Sequence, residues 1–244
     1  MEAIILAGGL GTRLRDLVPD LPKPMAPING RPFLAYVLDA LDAAGFASAI
    51  LAIGYRSDSI QDHFGQVYRG LRLRYSVEHE PLGTGGAIRL ALEQAVVPNV
   101  FVVNGDTFLQ VDYRALLKAH LDAGASLSLA VHALPDVARY GALELADGRV
   151  CGFLEKGRVG PGVINAGTYL LSPNLFERYA LPRVCSFETD LLMPHVAEIA
   201  PLAFETGGLF IDIGVPEDYV RAQDMLPPHS LLQCCPDGDA YGHR

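Results

Sequence analysis

Six consecutive residues, Gly8-Gly9-Leu10-Gly11-Thr12-Arg13, combine backbone freedom with charge in a pattern suited to a triphosphate. Glycines let backbone N–H groups close on phosphate oxygens, and an arginine guanidinium adds a forked donor. Lys23 follows in Leu21-Pro22-Lys23-Pro24-Met25, where flanking prolines stiffen the chain on either side of the cation. The plain alternatives are a glycine turn in an ordinary α/β protein and a solvated loop lysine. The loop fits neither G-x-x-x-x-G-K-[ST] nor the full G-x-G-x-x-G.

Two acids sit in apolar surroundings. Asp106 closes Asn104-Gly105-Asp106 directly after the apolar residues 100–103, and Asp212 lies inside Phe210-Ile211-Asp212-Ile213-Gly214. Mg²⁺ commonly takes one or two carboxylates together with phosphate oxygens and water, so two converging aspartates suit it. For Asp106 the alternative is an Asx turn or helix cap; for Asp212 it is a buried salt bridge. Cations and metal together would ease the repulsion between two phosphates in a phosphoryl-type transfer, with no covalent enzyme nucleophile required.

The elements that must position these residues follow from periodicity. Apolar runs at 3–7, 48–53, 71–77 and 99–103 read as strands, and amphipathic spacing at 32–44, 57–64, 83–95 and 112–122 as helices. Such alternation implies right-handed crossovers, a mostly parallel sheet and a ligand at the carboxyl ends of its strands. From 126 onward the pattern becomes strand-rich, with runs at 126–132, 141–145, 150–154 and 163–171 and a hairpin signal at Asp147-Gly148. This half is expected to lay an antiparallel extension beside the core and to face the second substrate. A helix at 187–199, a strand at 208–213 and a helix at 216–225 complete one domain over 1–226. Its parts are 1–125, which carries the phosphate loop, and 126–226, which faces the second substrate. Pro227-Pro228 stops the last helix, and 227–244 read as a loosely packed tail.

The composition excludes several classes. The 244 residues carry a net charge of −9, which disfavours a nucleic-acid partner. No apolar run approaches the roughly 20 residues of a membrane helix. The start, acidic at Glu2, lacks a secretory signal's basic flank, so the expected location is the cytoplasm, with no membrane partner. Cys151, Cys185, Cys234 and Cys235 show no paired spacing and are read as free thiols. The histidines offer no H-x-x-x-H pair for zinc. A homo-oligomer is compatible with the sequence, which does not specify one.

L-A-G-G-L-G-T-R-L at 6–14 followed by P-K-P-M at 22–25 resembles the sugar nucleotidyltransferase family. The resemblance implies a Rossmann-like, mixed, mainly parallel α/β sheet flanked by helices, with a strand-rich sugar-binding extension. It also implies that the loop of Gly8, Gly9, Gly11 and Thr12 binds the triphosphate while Arg13 and Lys23 neutralise it. Gly105-Asp106 and the late Asp212-Ile213-Gly214-Val215-Pro216-Glu217-Asp218-Tyr219 match the family's two Mg²⁺-ligand segments, which carries Asp106 and Asp212 into that role. Phe153-Leu154-Glu155-Lys156-Gly157 looks like its E-K segment, with Glu155 on sugar hydroxyls and Lys156 on the sugar phosphate. The family's usual proline after E-K is Gly157 here. Asn165-Ala166-Gly167 resembles its N-x-G sugar contact. Read as residues alone, Glu155-Lys156 could be an exposed charge pair and Asn165 a turn or edge-strand hydrogen bond.

For the base, Glu80-Pro81-Leu82-Gly83-Thr84 looks like the E-P-L-G-T of guanylyltransferases. Guanine's N1–H and N2–H donors suit a carboxylate, so Glu80 leans toward GTP. Alternatively Glu80 points to water, and backbone groups of Leu6, Gly8 or Gly83 hold the base. Within the family the chain most resembles D-glycero-D-manno-heptose 1-phosphate guanylyltransferases, then short mannose-1-phosphate guanylyltransferases, over about 1–226. Supporting segments include I-N-A-G-T-Y-L-L and S-F-E-T-D-L-L. This implies that GTP and the heptose 1-phosphate become GDP-heptose and pyrophosphate, for capsule or surface polysaccharide. A catalytically silent nucleotide-sugar sensor is the alternative of a different class.

Overall fold

The computed structural model describes residues 1–9, 21–54 and 57–228. The chain begins with the buried strand β1 (Glu2–Leu6). After the 3₁₀ turn Lys23–Met25 comes a small hairpin, β2 (Pro27–Ile28) and β3 (Arg31–Pro32), leading into α1 (Phe33–Ala43). Then follow β4 (Ser48–Ile53), α2 (Ser57–Phe64), β5 (Val67–Tyr68), β6 (Leu71–Val77), α3 (Gly83–Leu92), β7 (Val100–Asn104), β8 (Thr107–Leu109) and α4 (Tyr113–Asp122). The second half runs β9 (Leu127–Leu134), β10 (Leu143–Ala146), β11 (Arg149–Phe153), β12 (Gly162–Leu171), α5 (Met193–Ile199), β13 (Leu202–Thr206), β14 (Phe210–Asp212) and α6 (Pro216–Met225).

One ten-stranded sheet carries the fold, in the order β10-β11-β13-β9-β12-β7-β1-β4-β6-β5. Its centre, β7-β1-β4-β6, is parallel. Strand order reverses at β1, since β4 lies on one side of it and β7 on the other. The loops leaving β1 and β7 therefore flank the crevice where open α/β sheets bind ligands. Alternate residues of β1 enter opposite cores, as period-2 geometry requires. Ala3, Ile5 and Ala7 pack with Leu34, Leu38 and Leu41 of α1 and Tyr113 and Leu116 of α4. Ile4 packs with Ala87, Ile88 and Ala91 of α3 and with Phe187 and Leu191. Each fully buried Leu, Ile or Phe side chain here contributes about 1.5–3 kcal/mol of transfer free energy.

The antiparallel extension exists, but it continues the same sheet. Strand β12 is inserted antiparallel between β7 and β9. The hairpin β10–β11 turns at Asp147 and Gly148, whose φ angles of 52° and 71° match a two-residue primed turn. The extension is not purely antiparallel. The short strand β13, not expected from the sequence, pairs parallel with β9. The single helix expected at 187–199 is instead a π-helical segment, Phe187–Leu192, followed by α5. Pro194 at the start of α5 has no backbone N–H, which favours such a break. Among the described residues no helix is long and apolar enough to cross a membrane. Cys151 is exposed and Cys185 buried, both free; Cys234 and Cys235 lie outside the described residues.

Candidate active site

Three separate pieces of chain bring two carboxylates to one point. The carbonyl of Leu6 accepts the Gly105 N–H at 2.9 Å, tying the end of β1 to the turn after β7. Strands β8 and β14 pair antiparallel with Asp212 opposite Thr107, and the Ile213 N–H donates to the Asp106 carbonyl at 3.1 Å. This small ladder places Asp212 beside Asp106 although 106 positions separate them in the chain.

The third piece is the proline-flanked turn. Lys23 Nζ lies 2.5 Å from Asp106 Oδ2 and 3.7 Å from Asp212 Oδ1, so a single cationic atom is shared by both acids. The segment is secured from behind by α6: Tyr219 and Gln223 both donate to the Pro27 carbonyl, and the Asn29 amide donates to backbone carbonyls of Gln223 and Leu226. Burial raises the pKa of Asp212, and the neighbouring Asp106 charge raises it further. Lys23 and the Gly214 N–H oppose this, and Asp218 adds to it. Two hard oxygen donors gathered on one cation suit a divalent ion completed by phosphate and water. Among the described residues no larger His/Cys/Asp/Glu cluster competes for a metal.

These groups open into a cavity of about 830 Å³. Its lining includes Leu6, Gly9, Lys23, Asp106 and Asp212 together with Glu155, Lys156, Asn165 and Gly167. The Asn165-Ala166-Gly167 segment reaches it through a bulge in β12, where the pairing register with β9 shifts between Asn165 and Tyr169. Gly167 sits at φ 71°, and an added Cβ would stand 2.6 Å from Asn104 Nδ2, so glycine is required there. The departure at Gly157 also has a local cause. Its N–H donates to the Ala138 carbonyl at 2.8 Å and its φ is 100°, and proline could supply neither feature.

On the base side the expected residues separate. Gly11, Thr12 and Arg13 lie outside the described residues. Glu80 forms an ion pair with Arg183 on the exposed surface and does not line the cavity. Gly83 and Thr84 also lie off its lining; the Thr84 hydroxyl accepts the Phe187 N–H at 2.8 Å, and the next residue, Gly85, donates to the Cys185 carbonyl. Gly8 instead approaches Glu78: an added Cβ on Gly8 would stand 2.9 Å from Glu78 Oε1. Glu78 is half-buried, lies off the cavity lining as well, and accepts the Leu82 N–H at 3.0 Å. Both acids stand together in the sequence as Glu78-His79-Glu80, and the motif marks only the second.

Burial raises the Glu78 pKa, partly countered by the Leu82 N–H. A carboxyl whose folded pKa is raised is most stabilising below its unfolded pKa and loses that stability as pH rises through the folded value. Glu78→Gln is therefore expected to melt a few degrees above wild type at pH 7. Thermal scans should show that gain disappearing near pH 4; a gain that persists there contradicts the burial explanation.

Three further residues in the lining were missed. Arg139 donates to buried Asp218 at 2.6 Å, and Tyr140 beside it has its hydroxyl pKa pushed up to about 12 by burial and by the charges of Asp218 and Asp212. Glu188 stands next to Asn165. No spacing rule singled out these positions, because each is brought to the cavity by tertiary packing.

Comparison with known proteins places the chain in a family. A nucleotidyl transferase family model matches residues 2–227. A D-glycero-alpha-D-manno-heptose 1-phosphate guanylyltransferase from Aneurinibacillus thermoaerophilus is 44% identical over 93% of this chain and 98% of its own length. A mannose-1-phosphate guanyltransferase beta-B from Xenopus laevis is 33% identical over 92% of this chain but only 64% of its own length. The crystal structure of HddC from Yersinia pseudotuberculosis complexed with GMP-PN superposes with a TM-score of 0.81 at 40% identity, covering 91% of this chain and 98% of that one. A match along nearly the whole chain, to relatives of similar length and fold, establishes that this chain belongs to the nucleotidyl transferase family.

Proposed function

We propose that the chain joins GTP to D-glycero-D-manno-heptose 1-phosphate, giving GDP-heptose and pyrophosphate. The observation that carries the reading is the single cavity in which Lys23, Asp106 and Asp212 meet Glu155, Lys156 and Asn165. The 44% identity over nearly the full length of a heptose 1-phosphate guanylyltransferase supports this sugar over mannose, whose guanyltransferase is 33% identical.

A phosphate oxygen of the sugar 1-phosphate attacks the α-phosphorus of GTP. The new P–O bond forms as the bond to the β-phosphate bridging oxygen breaks, and pyrophosphate leaves with the electron pair. Lys156 orients the attacking phosphate, which converts a collision of two anions into a positioned encounter. Lys23, with Arg13 on the glycine loop, stabilises charge on the triphosphate as it shifts toward the leaving group. Asp106 and Asp212 would hold Mg²⁺, which supplies charge neutralisation and substrate orientation when bound. Glu155 and Asn165 face the sugar. Glu78, beside Gly8 and free of any cationic partner among the described residues, suits the N1–H and N2–H of guanine better than Glu80, which is paired with Arg183. The reaction belongs in the cytoplasm, where GTP is supplied, and its product suits a glycosyl donor for a capsule or other surface polysaccharide.

The test crosses GTP, UTP, dTTP, CTP and ATP with the 1-phosphates of heptose, mannose, glucose and two N-acetylated sugars, reading pyrophosphate. GTP with the heptose is expected to give the highest kcat/KM, about tenfold or more above mannose. A better nucleotide or sugar replaces this assignment, and no release with any pair favours a silent binding protein.

A further inference from the structure

We propose that Glu188 is the specificity-determining acceptor for a sugar hydroxyl, held in place by Tyr169 and Asn165. This rests on the reading of the cavity as a sugar 1-phosphate site. Three hydrogen bonds close a ring: Asn165 Nδ2 donates to the Tyr169 hydroxyl at 2.7 Å and to Glu188 Oε1 at 2.7 Å, and the Tyr169 hydroxyl donates to the same Oε1 at 2.8 Å. Asn165 Oδ1 accepts the Gly167 N–H at 3.1 Å. Both amide hydrogens of Asn165 are therefore committed inside the protein, and its carbonyl is already used once.

Glu188 differs. One carboxylate oxygen receives both donors, while the other has no partner among the described residues, and the side chain lines the cavity. Tyr169 is 2% exposed, and burial together with the Glu188 charge raises its pKa well above normal. Its hydroxyl thus stays protonated and keeps donating.

The backbone carrying Glu188 is equally fixed. Phe187 is buried, meets the Tyr169 ring edge-on at 5.1 Å and stacks on Phe176 at 5.9 Å. Ser186 Oγ accepts the Thr189 N–H, and Asp190 accepts the Ser186 N–H at 2.7 Å. π-Helical turns such as the one here recur at functional sites. A rigid carboxylate with one open oxygen suits a polyhydroxyl ligand, because a ligand lacking the matching hydroxyl leaves that acceptor unpaired.

The test measures steady-state constants for Glu188→Gln and Tyr169→Phe, using the sugar 1-phosphate that wild type turns over best. Glutamine keeps the size and can still accept from Asn165 and Tyr169, but it carries no charge. Glu188→Gln is expected to raise the sugar KM by about 10- to 100-fold with the GTP KM within about twofold. Tyr169→Phe should shift the sugar KM in the same direction by a smaller factor, with kcat less affected. Among singly deoxygenated sugar 1-phosphates, one should bind wild type poorly yet show no extra penalty in Glu188→Gln. An unchanged sugar KM in Glu188→Gln, or equal penalties for every deoxy analogue in both proteins, overturns the inference. Absence of wild-type turnover refutes the proposed reaction separately. Calorimetric titration of the sugar 1-phosphates then decides on Glu188, with equal affinity for wild type and Glu188→Gln counting against it.

Discussion

Asp106→Asn is expected to lower kcat by about a thousandfold, equivalent to about 4 kcal/mol of transition-state stabilisation. Asparagine preserves the side-chain shape, so the hydrogen bonds of the Asp106 carbonyl to Ile213 and of the adjacent turn to Leu6 survive. What disappears is the charge facing Lys23 at 2.5 Å. Lysine would lose its nearer anchor, and a metal held by two carboxylates would keep one. The check is a Mg²⁺ titration of pyrophosphate release at saturating substrates, with the thermal melt recorded in parallel. An unchanged rate and an unchanged metal midpoint would remove Asp106 from the mechanism.

Lys23→Ala should reduce kcat about a hundredfold, and it should also change stability in a way a solvated lysine would not. Lys23 is 13% exposed and shared by two acids that are themselves partly buried. Without it, Asp106 and Asp212 confront each other uncompensated, and the metal-free protein is expected to lose about 1–2 kcal/mol after allowing for solvent screening. Added Mg²⁺ should then restore more melting temperature to Lys23→Ala than it adds to wild type, because the ion replaces the missing positive charge. Calorimetric melts with and without Mg²⁺ read this directly. Equal responses in the two proteins would indicate that lysine and metal do not share the acids.

Much of this is legible in the sequence, for reasons particular to each element. Strands 48–53 and 71–77 and the helices at 57–64 and 216–225 occur with the expected bounds, because each is a clean apolar or amphipathic run closed by turn formers. The parallel centre follows from their alternation. The strands β8 and β13 are not marked by the sequence, since β8 is three residues set one turn after β7 and β13 buries no residue fully, yet β8 is what brings Asp212 to Asp106. The π-helical break at Phe187–Leu192 was hidden inside an acceptable helical pattern.

The cavity follows the same division. Residues in short, stiffened or glycine-marked segments could be nominated from the sequence: Lys23 between prolines, Asp106 after a strand, Asn165 before Gly167. Arg139 and Glu188 could not, since only packing against Asp218 and Tyr169 turns them into the cavity lining. Glu80 shows a tertiary contact that spacing does not reveal. Its chemistry suits guanine, but Arg183, 103 positions away, pairs with it on the surface, while Glu78 two residues earlier turns toward the glycine loop.

A crystal structure of the protein with a non-hydrolysable GTP analogue, Mg²⁺ and the heptose 1-phosphate tests the central claim in one measurement. The expected result is a divalent ion bound by Asp106 and Asp212, Lys23 on a phosphate oxygen, and the sugar phosphate beside Lys156 in the same cavity. Nucleotide or sugar phosphate bound elsewhere, with Lys23 still bridging the two aspartates, would contradict it.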